Sequence, residues 1–200
     1  MPAILQSETP ARVIARKNFI FLDGSITKIS AESAIKAIEK IGKRQRRIYF
    51  VINTVGGNFY NAGDIRLILK RFGRRMTTIV FGKAYSGGLV ILQGGSRRIA
   101  TAKSRFMFHQ ANFAPPNGSE YNAEDLQRYA AWLTRLNGEQ MRIFAQRAEK
   151  ISRLFELFEK EAEFGTAAAR RIGLIDEVVK EPRSAGELIA IIEAIDKNRK

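Results

Sequence analysis

An α/β fold with a mainly parallel sheet and flanking helices is what the order of elements predicts. Short apolar runs with β character alternate with stretches of helical period, one of those runs is apolar throughout, and Gly, Asn and Asp turn residues separate them. Asn18–Leu22 reads as a strand closed by Asp23-Gly24, and Ser30–Ile41 as a helix with Ile35, Ile38 and Ile41 on one face. Ile48–Asn53 is the unbroken run, as expected for a strand covered on both faces. Asn61–Phe72 reads as a second helix with Ile65, Leu67, Ile68 and Phe72 inward. Thr77–Phe81 is a third strand, Ser86–Gln93 a short apolar helix, and Arg98–Ala100 and Arg105–His109 two further strands.

After the loop at Ala114–Gly118, helical period dominates from Ala123 to about Phe158. Leu126, Tyr129, Leu133, Leu136, Phe144, Ala148, Ile151 and Phe155 recur at spacings near three or four, with an expected weak point at Asn137-Gly138. A helix of that length cannot lie wholly on a small sheet. It is expected to project and to bury its stripe against something else, for which another copy of the chain is one candidate. Gly173–Val179 then reads as a last short strand and Ala185–Ile195 as a closing amphipathic helix.

Two hundred residues suit one domain. Without cysteine there is no disulfide framework, thiolate metal site or cysteine nucleophile, and the single histidine, His109, leaves no His-rich metal site. No cofactor is expected. Apolar runs such as Phe19–Leu22 and Leu89–Leu92 fall far short of the roughly 20 residues that span a bilayer, and the first 17 residues lack the apolar stretch of a secretory signal. No membrane association and a cytoplasmic location are therefore expected. The formal charge of +14 is unevenly spread: residues 1–118 carry 20 Lys and Arg against 5 Asp and Glu, residues 119–200 carry 14 against 15. Such a basic part reads as a solvated rim or as a face for an acidic partner. Nucleic acid is not expected, because Tyr49, Phe50, Phe72, Phe106 and Phe108 sit at core positions and not among the basic residues.

Three loops that follow strands hold the chemical signals, as is usual in open α/β sheets. In Asn53–Asn58 two adjacent glycines, Gly56 and Gly57, allow close approach of backbone and turn amides outward; a structural turn would look the same. In Gly82–Gly88 a serine, Ser86, stands where a helix begins. Such a serine reads first as a helix cap, yet the position also presents a hydroxyl beside free helix amides. His109 closes the third segment. Alone it reads as a packed residue, but serine nucleophiles need an imidazole and this is the only one.

Taken together the segments resemble the Clp protease proteolytic subunit family of serine peptidases. Ile52-Asn-Thr-Val-Gly-Gly57 is similar to that family's Ile-Asn-Ser-Pro-Gly-Gly, Gly82-Lys-Ala-Tyr-Ser86-Gly-Gly88 to its Gly-x-Ala-Ala-Ser-Met-Gly, and Ser104-Arg-Phe-Met-Phe-His109-Gln110 to its Ser-Arg-x-Met-Ile-His-Gln. Phe19–Gly24 and Gly173–Val178 also have counterparts, so the resemblance covers about residues 18–180 in the family's order. It implies a crotonase-like unit with a projecting helical handle. It implies a serine endopeptidase with Ser86 as nucleophile, His109 as general base and the amides of Gly57 and Gly87 as oxyanion hole. It also implies homo-oligomeric rings, a heptamer or a stacked double ring. On this reading residues 1–17 form a short arm, 18–182 the peptidase domain with its handle at about 119–160, and 183–200 a C-terminal helix with a basic tail.

The sequence departs from the family pattern in four places. The family's third triad residue is an aspartate; here counting back from Gly173 reaches Glu161 and counting back from Thr166-Ala167 reaches Ala162, with Glu163 next in line. Glu161 is the expected acid. Gly87 stands for the family's Met and keeps the amide, while Val55 stands for Pro and predicts a less stiff turn. About 18 residues precede the first expected strand, so the axial loops that meet an AAA+ ATPase are expected to be short and unaided hydrolysis of small peptides the safer expectation. Alternatives are a non-catalytic or weakly active ring subunit, and a crotonase-type acyl-CoA enzyme, for which no glutamate is placed in a loop to abstract a proton.

Overall fold

The computed structural model describes residues 9–113, 115 and 118–198. Strand β1 (Arg12–Arg16) pairs antiparallel with β2 (Phe19–Asp23); helix α1 (Lys28–Gly42) leads to β3 (Ile48–Thr54), α2 (Phe59–Arg71) to β4 (Met76–Tyr85), and α3 (Gly87–Leu92) to β5 (Arg97–Thr101). Strands β6 (Arg105–Met107) and β7 (Glu163–Gly165) are separated in sequence by α4 (Ala123–Ala145) and α5 (Ile151–Glu159); α6 (Thr166–Arg171), β8 (Glu177–Val179) and α7 (Ala185–Lys197) follow. The sheet order is β1-β2-β3-β4-β5-β8, parallel from β2 to β8. β4 is long enough to serve two neighbours: Thr77–Val80 pair with β5 and Lys83–Tyr85 with β6, which in turn pairs antiparallel with β7. The second of those pairings carries the end of β4 beyond the main sheet.

The unbroken apolar run has the double coverage that its composition requires. Ile48, Phe50 and Ile52 face one core together with α1, α2 and α3, whereas Tyr49 and Val51 face the other with Phe19, Ile79, Ile99 and residues Leu188 and Ile192 of α7. The C-terminal segment is thus part of the domain's second layer. Asp196 of α7 accepts from the Tyr49 hydroxyl and pairs with Arg97 at 2.7 Å. Arg12–Arg16, expected in an arm, form a strand instead, so the first strand begins at Arg12. Leu67, expected inward, is 59% exposed; Ile65 faces the core as expected, and Leu69 takes the place of Leu67. The strand expected to reach His109 stops at Met107. β7 and α6 are too short to leave a periodic signal.

The helical segment breaks at Gln146–Lys150, not at Asn137-Gly138. A glycine inside a helix costs only about 1 kcal/mol relative to alanine, and the buried neighbours Leu136, Gln140 and Met141 hold that turn in place. The actual break is anchored to the body: Arg147 donates to the carbonyl of Gly95 at 3.0 Å and the Glu149 amide to the carbonyl of Ile172 at 3.0 Å. The apolar stripe is correspondingly divided. Leu136 and Phe144 pack within the chain, Phe144 against Phe108 at 5.0 Å between ring centroids, while Leu126, Ile151 and Phe155 remain exposed. No helix among the described residues is long and apolar enough to cross a membrane.

Candidate active site

Ser86 sits between the end of β4 and the start of α3 with φ 48° and ψ −116°, a combination that L residues seldom adopt. Its backbone is held on both sides: the amide donates to the carbonyl of Met107 and the carbonyl accepts from the Leu89 amide, each at 2.9 Å. The side chain does not cap α3. Among the described residues its hydroxyl makes no hydrogen bond, so the helix-cap reading of this serine falls away.

The glycine loop presses directly on this turn. A Cβ at Gly56 would lie 2.8 Å from the Ser86 Cβ, and one at Gly57 would lie 2.2 Å from the Ile26 carbonyl oxygen; φ is positive at both, 105° and 143°. Only glycine fits here. The Ile26 amide donates to the Gly56 carbonyl at 2.8 Å, and the Thr54 hydroxyl accepts the Gly56 amide at 3.0 Å. That last bond closes the turn beside Val55, which stands where the family has proline. The amides of Gly57 and Gly87 donate to no acceptor among the described residues, and they flank Ser86 in a cleft of about 250 Å³ that His109 also lines.

His109 lies two residues past the end of β6, anchored by the buried Phe108 before it. The two residues after it are pinned from different elements: the Gln110 amide donates to Glu161 Oε1 at 2.7 Å, and the Ala111 amide to Asn137 Oδ1 of α4 at 2.7 Å. Glu161 Oε1 lies 3.9 Å from His109 Nε2, within ion-pair range but beyond a hydrogen bond. Nor does the imidazole bond to Ser86. Ser86, His109, Gly57 and Gly87 therefore share one cleft, with Glu161 beside the histidine. The other carboxylate near this segment is already committed. Glu163 accepts from the Tyr85 hydroxyl and from Arg105 Nε at 2.7 Å, and these two donors hold its carboxyl below the usual range. Burial and the same contact push the Tyr85 phenol up to about 12. Ala162 packs against the core.

Sequence reasoning missed Thr54 and Asn137. An asparagine in the middle of an otherwise periodic helix was the available signal for the second, since such a side chain needs a partner. Three residues of α4 also face the cleft, Trp132, Leu136 and Gln140, and the indole N–H of Trp132 donates to the Tyr60 hydroxyl at 3.1 Å. Among the described residues no group of His, Asp and Glu is arranged to hold a metal ion.

A family model described as Clp protease matches residues 5–182. The chain belongs to the Clp protease family. Among its relatives, ATP-dependent Clp protease proteolytic subunit 3 of Rhodococcus jostii is 27% identical over 90% of this chain and 89% of its own length. ATP-dependent Clp protease proteolytic subunit 2 of Frankia casuarinae is 26% identical over 88% and 82%. The ATP-dependent Clp protease proteolytic subunit of Chlorella vulgaris is 27% identical over 70% of each chain. For this Clp protease family member the mostly parallel sheet and flanking helices agree with the family's fold, and membership sets it with proteases and not with acyl-CoA enzymes.

Proposed function

We propose that this protein is a serine endopeptidase that hydrolyses peptides or unfolded polypeptides inside a homo-oligomeric ring. The observation that carries the reading is the uncommitted Ser86 hydroxyl, set on a strained turn between two free amides, in the same cleft as the only histidine. Ser86 Oγ attacks the scissile carbonyl while His109 takes its proton, and the amides of Gly57 and Gly87 donate to the oxygen as it becomes negative. Collapse of the tetrahedral intermediate breaks the C–N bond, His109 returns the proton to the leaving amine, and water then releases the acyl group by the same route reversed. Glu161 holds the segment after His109 and supplies the negative charge that favours the imidazolium formed midway.

The 3.9 Å between His109 and Glu161, and the absence of a bond from His109 to Ser86, favour a second reading: a weakly active ring subunit. Catalytic hydrogen bonds are commonly long before substrate binds, which keeps the peptidase first. The relatives are named ATP-dependent; for this chain, unaided cleavage of short peptides is the activity to assay first, and an ATPase partner is a further proposal. A fluorophosphonate probe decides between the readings. Covalent labelling at Ser86, absent in Ser86→Ala and lost on heat denaturation, is expected of the peptidase, and a folded wild-type protein that stays unlabelled refutes it.

A further inference from the structure

The cleft contains a side-chain amide that the peptidase reading leaves unused. Gln140 is 4% exposed, its side chain makes no hydrogen bond among the described residues, and it lines the same cleft as Ser86 and His109. A carboxamide has two donors and an acceptor, and among the described residues the one fully buried side-chain atom without a partner is Arg66 Nε, so the Gln140 amide is open to the cleft and to whatever enters it. Gln140 lies one turn beyond Leu136 and two beyond Trp132 on a single face of α4, so an apolar wall ends at an amide. Among the described residues, no Asp, Glu, Lys or Arg lines this cleft. A charged side chain entering it would find no counter-ion among the residues that line it. A purely aliphatic one would leave the Gln140 amide unmade.

We propose that Gln140 is the specificity residue of this cleft and selects substrates whose side chain next to the scissile carbonyl carries a carboxamide on an aliphatic stem, glutamine above all. The stem lies along Trp132 and Leu136, and the two amides bond to each other as donor and acceptor. This assignment deepens the peptidase reading and rests on it for the word substrate; the binding preference itself does not require turnover.

Trp132 is the only tryptophan in the chain and lines the cleft, so its emission reports occupancy. The test titrates N-acetylated tripeptides ending in Gln, Leu or Lys into the Ser86→Ala protein. The Gln-ended peptide is expected to bind about tenfold more tightly than the Leu-ended one, the worth of one or two net hydrogen bonds, with Lys weakest. Adding Gln140→Leu is expected to reverse the order of Gln and Leu. Gln140→Met serves as a second replacement, and circular dichroism checks the fold of both. Equal or tighter binding of the Leu-ended peptide to the Gln140 protein, a preference that survives both replacements, or no response to any peptide overturns the assignment. Parallel kcat/KM measurements on coumarin amides of the same peptides separate the two readings. Preferential binding with neither turnover nor probe labelling refutes the peptidase and leaves the pocket standing; equal turnover of the Gln and Leu substrates refutes the pocket and leaves the peptidase standing.

Discussion

Glu161 accepts the backbone amide of Gln110 at 2.7 Å, so the acid beside His109 grips the chain one residue past the histidine as well as facing its ring. The two contributions can be separated by replacement. Glu161→Gln keeps an oxygen for the Gln110 amide and removes the charge, while Glu161→Ala removes both. Turnover of a short peptide substrate is expected to fall about a hundredfold or more in Glu161→Gln, by comparison with triad acids elsewhere, and further in Glu161→Ala. Glu163→Gln is expected to leave turnover nearly unchanged, because Glu163 is bound to Tyr85 and Arg105. Wild-type rates in both Glu161 variants would make the enzyme a Ser-His dyad; a loss confined to Glu163→Gln would move the role there.

Ser86 holds φ 48° in the native state, and such a conformation costs a non-glycine residue on the order of 1–3 kcal/mol. Ser86→Gly relieves that strain and Ser86→Ala does not. Both are expected to lower peptide hydrolysis roughly a thousandfold or more. In thermal unfolding Ser86→Gly is expected to melt about 2–4 °C above Ser86→Ala, corresponding to roughly 1 kcal/mol in a chain of this size. Equal melting temperatures would mean that the turn is relaxed, and undiminished hydrolysis in either variant would remove Ser86 from the mechanism.

Much of this site was visible in the sequence because its parts are backbone devices. Gly56-Gly57 after an apolar strand and Ser86 before an apolar helix are written in residue types that turns demand, and His109 is singular. What spacing left open was which acid reaches the histidine. Glu161, Ala162 and Glu163 are consecutive, and the choice depends on β7, whose three residues carry no periodicity, and on Glu161 taking φ 48° just before it. The helical stripe misled for a related reason. Period shows that Leu136 and Phe144 share an apolar face with Leu126 and Phe155, but not that Phe144, and Phe158 beyond the loop at Gln146–Lys150, pack on Phe108.

The Gly-Leu-Ile-Asp segment contributes stability, with no contact to the cleft. Asp176 accepts from the Arg98 amide at 2.8 Å and pairs with the buried Arg98 guanidinium at 2.5 Å, with Arg147 at 3.2 Å. Burial by itself would raise the Asp176 carboxyl, but the hydrogen bond and charge of Arg98 outweigh it and the net shift is downward. A carboxyl depressed on folding stabilises the native state above its unfolded value, near 4, and that contribution is lost as pH falls through the lower folded value. The melting temperature is expected to drop with acid below about pH 4, and the drop is expected to be shallower in Asp176→Asn, which starts lower. Removing the carboxylate strands a buried guanidinium, so at pH 7 Asp176→Ala is expected to cost about 3 kcal/mol. An acid limb of the same steepness in Asp176→Asn and wild type would remove Asp176 from the linkage.

The ring proposed above would draw on apolar side chains that α4 and α5 leave open. Leu126 is 58%, Ile151 41% and Phe155 47% exposed on α4 and α5, whereas Leu136 and Phe144 are already covered by their own chain. Contiguous exposed apolar patches mark interaction sites, and in the proposed ring these three side chains are the contact with another copy. Residues 119–200 are nearly neutral, so two copies of this segment can meet without opposing like charges. A replacement at Phe144 cannot test the contact, because an aspartate there would be buried beside Phe108 and unfold the subunit. Leu126→Asp combined with Phe155→Asp changes only exposed positions. That pair is expected to shift light-scattering mass from a ring to smaller species at micromolar concentration, with the melting of the subunit itself little altered. Peptide hydrolysis is expected to fall with the mass, because α4 supplies Asn137, which fixes the Ala111 amide two residues past His109, and movement of α4 would release it. An unmodified protein that is monomeric and fully active on peptides would refute the contact, and a variant that keeps the ring would place it on another face.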